Sequence, residues 1–407
     1  MHREVTTCRV CGSRDLVPIL SLGDQALTGV FPRRADEPIT TGPLELVKCN
    51  HGCGLLQLRH SFDLGEMYGD NYGYRSGLNR SMVQHLTSKV GAIRRRIELR
   101  AGDLVIDIGS NDGTLLRAYP SDLQLVGIDP TGEKFKSYYP AHITLIPSFF
   151  SAALVTGKAR VVTSIAMFYD LESPLDFMTQ VRDVLADDGI WVFEQSYMPT
   201  MLDVNAYDTI CHEHLEYYGL RQIKWMTDRA GLKIIDVELN AINGGSFSVT
   251  VAKTGAPYPE ATAAIDAIMI AEQEEHLDTA APYEAFTRRV FGHREQLLAF
   301  LGRMRAAGKT VLGYGASTKG NVILQFCKLT AADIPCIAEV NSDKFGCFTP
   351  GTHIPIVSEA DAKAKRPDYF MVLPWHFEDN IVERESAYLA AGGKLFFPLP
   401  TLHTVPS

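Results

Sequence analysis

Three clusters in this 407-residue chain bring together side chains that do chemistry. The first is Cys8-Arg-Val-Cys11-Gly12 with Cys49-Asn-His-Gly-Cys53-Gly54. Two close cysteine pairs, each followed by glycine, offer four thiolates in a tetrahedron, a set that suits Zn²⁺. Four protein ligands close the shell, so such a zinc is structural and helps a small, core-poor module to fold. The second pair has the wider spacing, which leaves His51 as an alternative to one cysteine. The second cluster is Leu104-Val-Ile-Asp-Ile-Gly-Ser-Asn-Asp-Gly-Thr-Leu-Leu116. It starts as a buried strand and breaks at Gly109, where the missing Cβ lets the backbone approach a ligand. Further on, Leu125-Val-Gly-Ile128 ends in Asp129, an acid placed to accept both hydroxyls of a ribose. The third cluster is His212-Glu213-His214, preceded by Cys211. Histidine titrates near neutral pH and is the usual general base. In an extended stretch His212 and His214 share a face and Glu213 opposes them. A helical zinc site needs histidines at i and i+4; here they stand at i and i+2.

These clusters need elements to hold them. The chain is too long for one core, so two or three domains are expected. The divisions are a zinc-binding module at 1–65, a central domain at 66–254, connecting helices at 255–307 and a C-terminal domain at 308–407. In the central domain, apolar runs at 104–108, 124–128, 161–165, 190–195, 232–238 and 246–252 alternate with helical patterns. That pattern predicts a parallel, Rossmann-like sheet with helices on both faces. The last two runs lack an intervening helix and predict an antiparallel pair at one edge. A helix is predicted from about Arg80 to Arg100, and another opening at Leu115 after the glycine turn. The loop Met67–Asn79, rich in Tyr, Gly and Asn, reads as functional surface. The C-terminal part is again α/β. Thr310-Val-Leu-Gly-Tyr-Gly-Ala-Ser-Thr-Lys-Gly320 gives a strand, a glycine-rich turn and a helix, with further strands at 335–340, 369–373 and 394–398. Free N–H groups at such a turn suit an anion, and Lys319 adds charge.

The net charge of −9 and the lack of a long basic run argue against nucleic acid as a partner. No apolar run is long enough for a membrane span, and the N-terminus lacks a signal-peptide core, so a cytoplasmic enzyme is expected. Four of the eight cysteines fall in the first 53 residues. That crowding favours metal there and packing elsewhere.

Asp107-x-Gly109, Asp112-Gly113 and Asp129 together resemble the S-adenosylmethionine site of class I methyltransferases. The whole chain resembles the three-domain C-methyltransferases that act on nucleotide-linked ketosugars. The resemblance is carried by the four cysteines, Asp107–Thr114, His212-Glu-His-Leu-Glu-Tyr-Tyr218, Asn243-Gly-Gly-Ser246, Gly313–Asn321, Pro350-Gly-Thr-His-Ile-Pro355 and Leu373-Pro-Trp375. It implies S-adenosylmethionine held by Asp107, Gly109, Asn111, Asp112, Asp129, Tyr72 and Ser76. It implies a nucleotide-linked 4-keto-deoxysugar held by Tyr74, Asn243, Lys319, Tyr314, Trp375 and His353. The expected reaction is methylation of a ring carbon, C3, through an enolate, with His214 as base and Glu213 and His212 in support. The chain departs from the family at Cys211, where tyrosine is common, at Phe168-Tyr-Asp170, where an Ala-His pair is common, and at His376. Rival readings are oxygen or nitrogen methylation with the same donor, a non-catalytic nucleotide-binding protein, and a dehydrogenase using Glu339 as its ribose acid.

Overall fold

The computed structural model describes residues 2–69 and 72–406; Asp70 and Asn71 of the Tyr-rich loop lie outside the described residues. Near the N-terminus, β1 (Leu16–Ala26), β2 (Thr41–Cys49) and β3 (Leu56–Leu58) pair antiparallel. Along β2, Gly42, Leu44 and Leu46 alternate inward, the period of a half-buried strand.

The central sheet uses β4 (Leu104–Ile108), β5 (Gln124–Ile128), β6 (Ile143–Ile146), β7 (Ala159–Ile165) and β8 (Leu185–Ser196). The next strand, β9 (Glu216–Tyr217), leaves this sheet and joins the N-terminal one beside β3, with Glu216 opposite Gln57. β10 (Leu232–Asn240) and β11 (Ser246–Lys253) complete the central sheet in the order β10-β11-β8-β7-β4-β5-β6. All neighbours are parallel except β11, which runs antiparallel between β8 and β10. The central strands are mostly apolar because both faces of the sheet are covered. On one face lies α1 (Arg80–Arg96), capped by Asn79 and burying Met82, Leu86, Val90 and Ile93. On the other lie α2 (Pro174–Val184) and α3 (Leu220–Ala230), packed over Ile106, Val162, Trp191 and Phe193.

The helix expected after the glycine turn is absent. Only a single 3₁₀ turn, Leu116–Ala118, forms there. Gly113 takes φ +73°, Arg117 is tied to the carbonyls of Asp112 and Tyr138, and Pro120 follows at once. A proline there supplies no N–H to carry a helix on.

After α4 (Thr262–Glu274) and α5 (Ala281–Ala306), the C-terminal sheet runs β14-β13-β12-β15-β16-β17. Its strands are β12 (Val311–Tyr314), β13 (Ile337–Glu339), β14 (Ile356–Ser358), β15 (Tyr369–Val372), β16 (Lys394–Phe397) and β17 (His403–Val405). The α6 helix (Thr318–Phe326) follows the glycine-rich turn. The N-terminal sheet is not free-standing. Leu20, Leu44 and Leu46 share one core with α5 and the C-terminal sheet. Gln325 clasps Ala26 at both its N–H (2.8 Å) and its carbonyl (3.1 Å), and Asn321 donates to the Thr28 carbonyl at 2.7 Å. Among the described residues no helix is long and apolar enough to cross a membrane.

Candidate active site

The four cysteines converge. The Sγ atoms of Cys8, Cys11, Cys49 and Cys53 all lie within 4.8 Å of one another. Each pair sits on a tight turn, closed by Gly12 N–H to the Cys8 carbonyl (2.9 Å) and by Cys49 N–H to the Leu55 carbonyl (2.8 Å). Gly52 must be glycine: at φ +141° a Cβ would stand 2.9 Å from the Cys11 sulfur. Four soft donors on two rigid turns fit a tetrahedral Zn²⁺ with no open position. His51 is exposed and turns to Asp15, outside the cluster.

A cavity of about 250 Å³ opens at the carboxyl ends of β4, β5, β7 and β8. Gly109 turns the chain at φ +75°, and a Cβ there would meet Met167 at 3.0 Å. The cavity is lined by Asp107, Gly109, Asn111 and Asp129, and by Tyr72, Tyr74 and Ser76 of the loop before α1. Asp107 accepts from Thr163 Oγ1 at 2.6 Å, yet burial, helped by the Asp129 charge, pushes its carboxyl up to about 7. Asp129 already accepts from Asn111 N–H (2.7 Å) and Thr131 N–H (2.7 Å), so it fixes the glycine turn as well as facing the cavity. Asp112 does not line the cavity. Its carboxylate accepts from Thr114 N–H and Gly77 N–H, while Asn111 accepts from Ser76 N–H. Those two side chains therefore strap the 74–77 loop across the mouth.

The strand-end rule also marks residues 194–197 for inspection, and two of them line this cavity in ways the sequence does not show. Glu194 accepts from His85 at 2.5 Å, Lys89 at 2.7 Å and Asn240 at 2.8 Å, and these hydrogen bonds and charges hold it below the usual range despite burial. Gln195 is buried with neither amide atom hydrogen-bonded, an arrangement that awaits a ligand partner. Both stand in the last residues of β8, at the carboxyl end where ligands bind in such sheets.

The His-Glu-His stretch is a turn, not an extended segment, so its side chains diverge three ways. His212 packs edge-on against Phe62, ring centroids 4.6 Å apart. Glu213 points to Thr28 and Gly29 of the N-terminal part. His214 lies against the Tyr169 ring at 4.3 Å. The Thr209 carbonyl stands 2.8 Å from His214 Nδ1 and can only accept, so Nδ1 carries the proton and Nε2 the lone pair. His214 lines a second, small cavity with Tyr169, Ser196 and Thr209. Burial, then the nearby Lys319 charge, pulls its pKa down to about 3. Cys211 is fully buried, and burial with the Glu213 charge holds it as a thiol.

Across this junction Lys319 donates to the Asn243 carbonyl at 3.0 Å, and Trp375 Nε1 donates to Asp208 at 2.8 Å. Trp375 also packs on Gly244, where a Cβ would stand 2.9 Å from the indole. Asn243 lines the main cavity; Lys319, bonded to its carbonyl, and Trp375, packed on the next residue, lie behind it and do not line the cavity. Tyr314 and His353 stand elsewhere. Tyr314 is turned by the pleat of β12 into the C-terminal core and donates to Glu385 at 2.6 Å. His353 is exposed on a left-handed turn (φ +54°) and lines neither cavity. Glu339 accepts from Ala316, Val340 and Asn341 N–H, each at 2.8 Å. Glu339 thus ties the glycine-rich turn, through Ala316, to the end of β13.

A seven-stranded sheet in this order, a glycine turn after its first strand and an acid after its second define an S-adenosylmethionine-dependent methyltransferase of class I. Three family models match in tandem: a zinc binding domain over residues 8–68, a methyltransferase domain over 82–237, and a C-methyltransferase C-terminal domain over 241–400. The chain is 31% identical to the C-methyltransferase NovU of Streptomyces niveus over 407 residues, covering 98% of this chain and 96% of that protein. The chain belongs to this C-methyltransferase family: it is an S-adenosylmethionine-dependent C-methyltransferase that also holds zinc. Two solved structures each cover less than half of this chain. The magnesium protoporphyrin IX methyltransferase ChlM of Synechocystis PCC 6803, with bound SAH, is 15% identical at TM-score 0.34, covering 46% of this chain and 90% of that one. The plantazolicin methyltransferase BpumL is 11% identical at TM-score 0.36, covering 44% and 87%. The family assignment does not rest on either.

Donor binding gives the first expected result. Asp129→Ala should weaken S-adenosylmethionine binding by on the order of 1.5–3 kcal/mol, the worth of a hydrogen bond to a charged group. Asp129 also holds Asn111 N–H, so its loss loosens the glycine turn as well. Calorimetric titration reads it, and an unchanged dissociation constant would place the ribose elsewhere.

Proposed function

We propose that the enzyme methylates C3 of a nucleotide-linked 4-keto-deoxysugar through an enolate, with His214 as the base. The single observation that carries this reading is the tautomer of His214: its Nδ1–H is fixed on Thr209, which leaves an unprotonated Nε2 beside the junction with the C-terminal part. Methylating carbon needs a carbon nucleophile, and a sugar C–H becomes acidic only beside a ketone. S-adenosylmethionine supplies an electrophilic methyl when bound. The chain's own residues must take the proton and steady the charge left behind. Glu213 orients the turn or holds a sugar hydroxyl. Asp107, Gly109, Asn111 and Asp129, with Tyr72 and Ser76, form the donor end, and Asp112 acts through the loop it ties. Tyr74, Asn243, Lys319 and Trp375 line the way to the nucleotide.

Incubating the protein with thymidine-, guanosine- and cytidine-linked 4-ketosugars plus donor should give a mass gain of one methyl on one of them. Exchange of one ring proton in D₂O without donor marks the enolate. Methyl gain with no carbon-proton exchange would instead favour oxygen or nitrogen methylation.

Lys319 gives a second expected result. If it meets the pyrophosphate, Lys319→Ala raises KM for the sugar nucleotide more than for the donor. Its charge also lowers the His214 pKa. Removing that charge raises the pKa, so the acidic limb of the exchange rate should move to higher pH in the variant. Equal KM effects with an unmoved limb would remove Lys319 from both roles.

A further inference from the structure

The main cavity contains a buried carboxyl that no part of the reading above uses. Asp170 closes the 3₁₀ turn Phe168–Asp170 just beyond β7. The chain reaches that turn through Ala166, held at φ +54°, a left-handed conformation that alanine seldom takes. Such strain persists where the surroundings enforce it, and it gathers at working sites. Here it brings the segment back over the donor cavity, which Ala166, Met167 and Asp170 all line.

The two oxygens of Asp170 differ. Tyr68 donates its hydroxyl to Oδ2 at 2.8 Å. Oδ1 is buried and has no hydrogen-bond partner. Among the described residues no lysine, arginine or histidine forms an ion pair with Asp170, and its charged neighbour is another acid, Glu213. Burial first, then the Glu213 charge, pushes its carboxyl well above the usual range, against the pull of the Tyr68 hydrogen bond. Burial without a cation favours the neutral, protonated form of a carboxyl. Tyr68 already donates to Oδ2, so the proton belongs on Oδ1, the atom without a partner. A buried O–H with nothing to donate to is unstable alone and wants an acceptor.

We propose that Asp170 is a further catalytic residue, whose Oδ1–H donates a hydrogen bond to the substrate ketone oxygen and strengthens it as that oxygen becomes an enolate. The inference rests on the enolate reading above. The base takes the proton from the carbon beside the ketone, and the C–H electron pair becomes the C=C bond. The carbonyl π pair moves onto oxygen, where the Asp170 proton meets it. The carbon then takes the methyl, the sulfonium leaves as a thioether, the C=O bond re-forms, and Asp170 keeps its proton throughout. A neutral carboxylic acid in a dry site suits this work, because it needs no change of charge to donate to a developing oxyanion.

The test is proton exchange on thymidine diphosphate-linked 4-keto-6-deoxyglucose in D₂O, with the enzyme saturated by S-adenosylhomocysteine. Asp170→Leu keeps the branching, with bulkier methyl groups, and removes the donor; Asp170→Ala lets water in; Asp170→Asn still presents an N–H. Asp170→Leu should exchange about 10²–10³-fold more slowly than wild type, the usual cost of one oxyanion donor, with S-adenosylhomocysteine affinity unchanged by calorimetry. Asp170→Asn should recover most of that loss, and Asp170→Ala should fall between. Wild-type exchange in Asp170→Leu overturns the proposal. So does an asparagine variant as slow as the leucine one, since that outcome assigns packing or charge rather than donation. If wild type itself exchanges nothing, the enolate reading falls first and the Asp170 proposal with it. The wild-type arm thus separates the two failures.

Discussion

His214→Asn is expected to bind both substrates with near wild-type affinity, to lose roughly 10²–10⁴-fold in turnover, the usual worth of a positioned base, and to lose substrate proton exchange with it. Asparagine keeps polarity and approximate volume, and its amide can still donate to the Thr209 carbonyl that His214 Nδ1 now holds. It cannot accept a proton at neutral pH. Exchange matters more than turnover because it isolates proton abstraction from methyl transfer. His212→Asn is the control, and the structure sharpens what it should show. The His212 ring is buried against Phe62, away from His214, so the change should cost stability and leave exchange nearly intact. Burial lowers the His212 pKa from 6.5 to about 3. The unfolded chain therefore binds the extra proton first, and wild type should lose stability relative to the variant as pH falls from about 6.5 towards 3. Glu213→Gln should fall between the two histidine variants in exchange rate. A fully active His214→Asn enzyme would move the base elsewhere, with Tyr169 against the same ring as the next candidate.

Removing zinc is expected to do more than loosen one end of the chain. Chelation, or Cys49→Ser, should expose residues 8–68 to protease and amide exchange, because a closed four-thiolate site contributes folding free energy directly. Donor affinity should change little, since the cofactor end of the cavity is built mainly on the central sheet. Substrate proton exchange should fall as far as in the base variant. Glu213 leans on Thr28 and Gly29, β9 pairs with β3, and Gln222 of α3 donates to the Cys53 carbonyl at 2.9 Å. These contacts run from the metal turns to both sides of His214. Stripped protein that keeps native amide protection would end the structural role of the metal. Native protection with only the chemical step lost would make the metal catalytic.

What could be read from the sequence was whatever a short window encodes. The run before Gly109 and the acid at 129 stand at strand ends, and strand ends follow from apolar runs and glycine. The cysteine pairs carry their geometry in their spacing. The short strands β6, β14 and β17 escaped notice because three or four residues show too little pattern. The helix after Gly109 was expected from Leu115 and Leu116, which are buried but in a segment closed off by Pro120. Tyr314 looked like a ligand by its place beside a glycine-rich turn, and only the pleat of β12 decides that it faces the core. The Glu194 network and the orphaned Gln195 amide depend on α1 and β10 meeting β8, which no window contains. The same holds for the His-Glu-His stretch, whose three side chains go to three different neighbours.

The pairing of Glu216–Tyr217 with Leu56–Gln57 bears on how the chain folds as it is made. The cysteine knuckles close over few residues and need little of the chain, so they can form early. The fourth strand of that sheet arrives more than 150 residues later, and the Asn321 and Gln325 clasps later still. Closing such long loops is slow and carries an entropy cost that only the finished core offsets. The edge of β3 stays open until synthesis passes residue 217, and the apolar face of β1 and β2 stays exposed until it passes residue 325. Exposed edges of that kind invite wrong pairing. A fragment ending near residue 68 should therefore bind metal yet aggregate. The chain is safest when the late C-terminal clasp forms soon after its last partner leaves the ribosome.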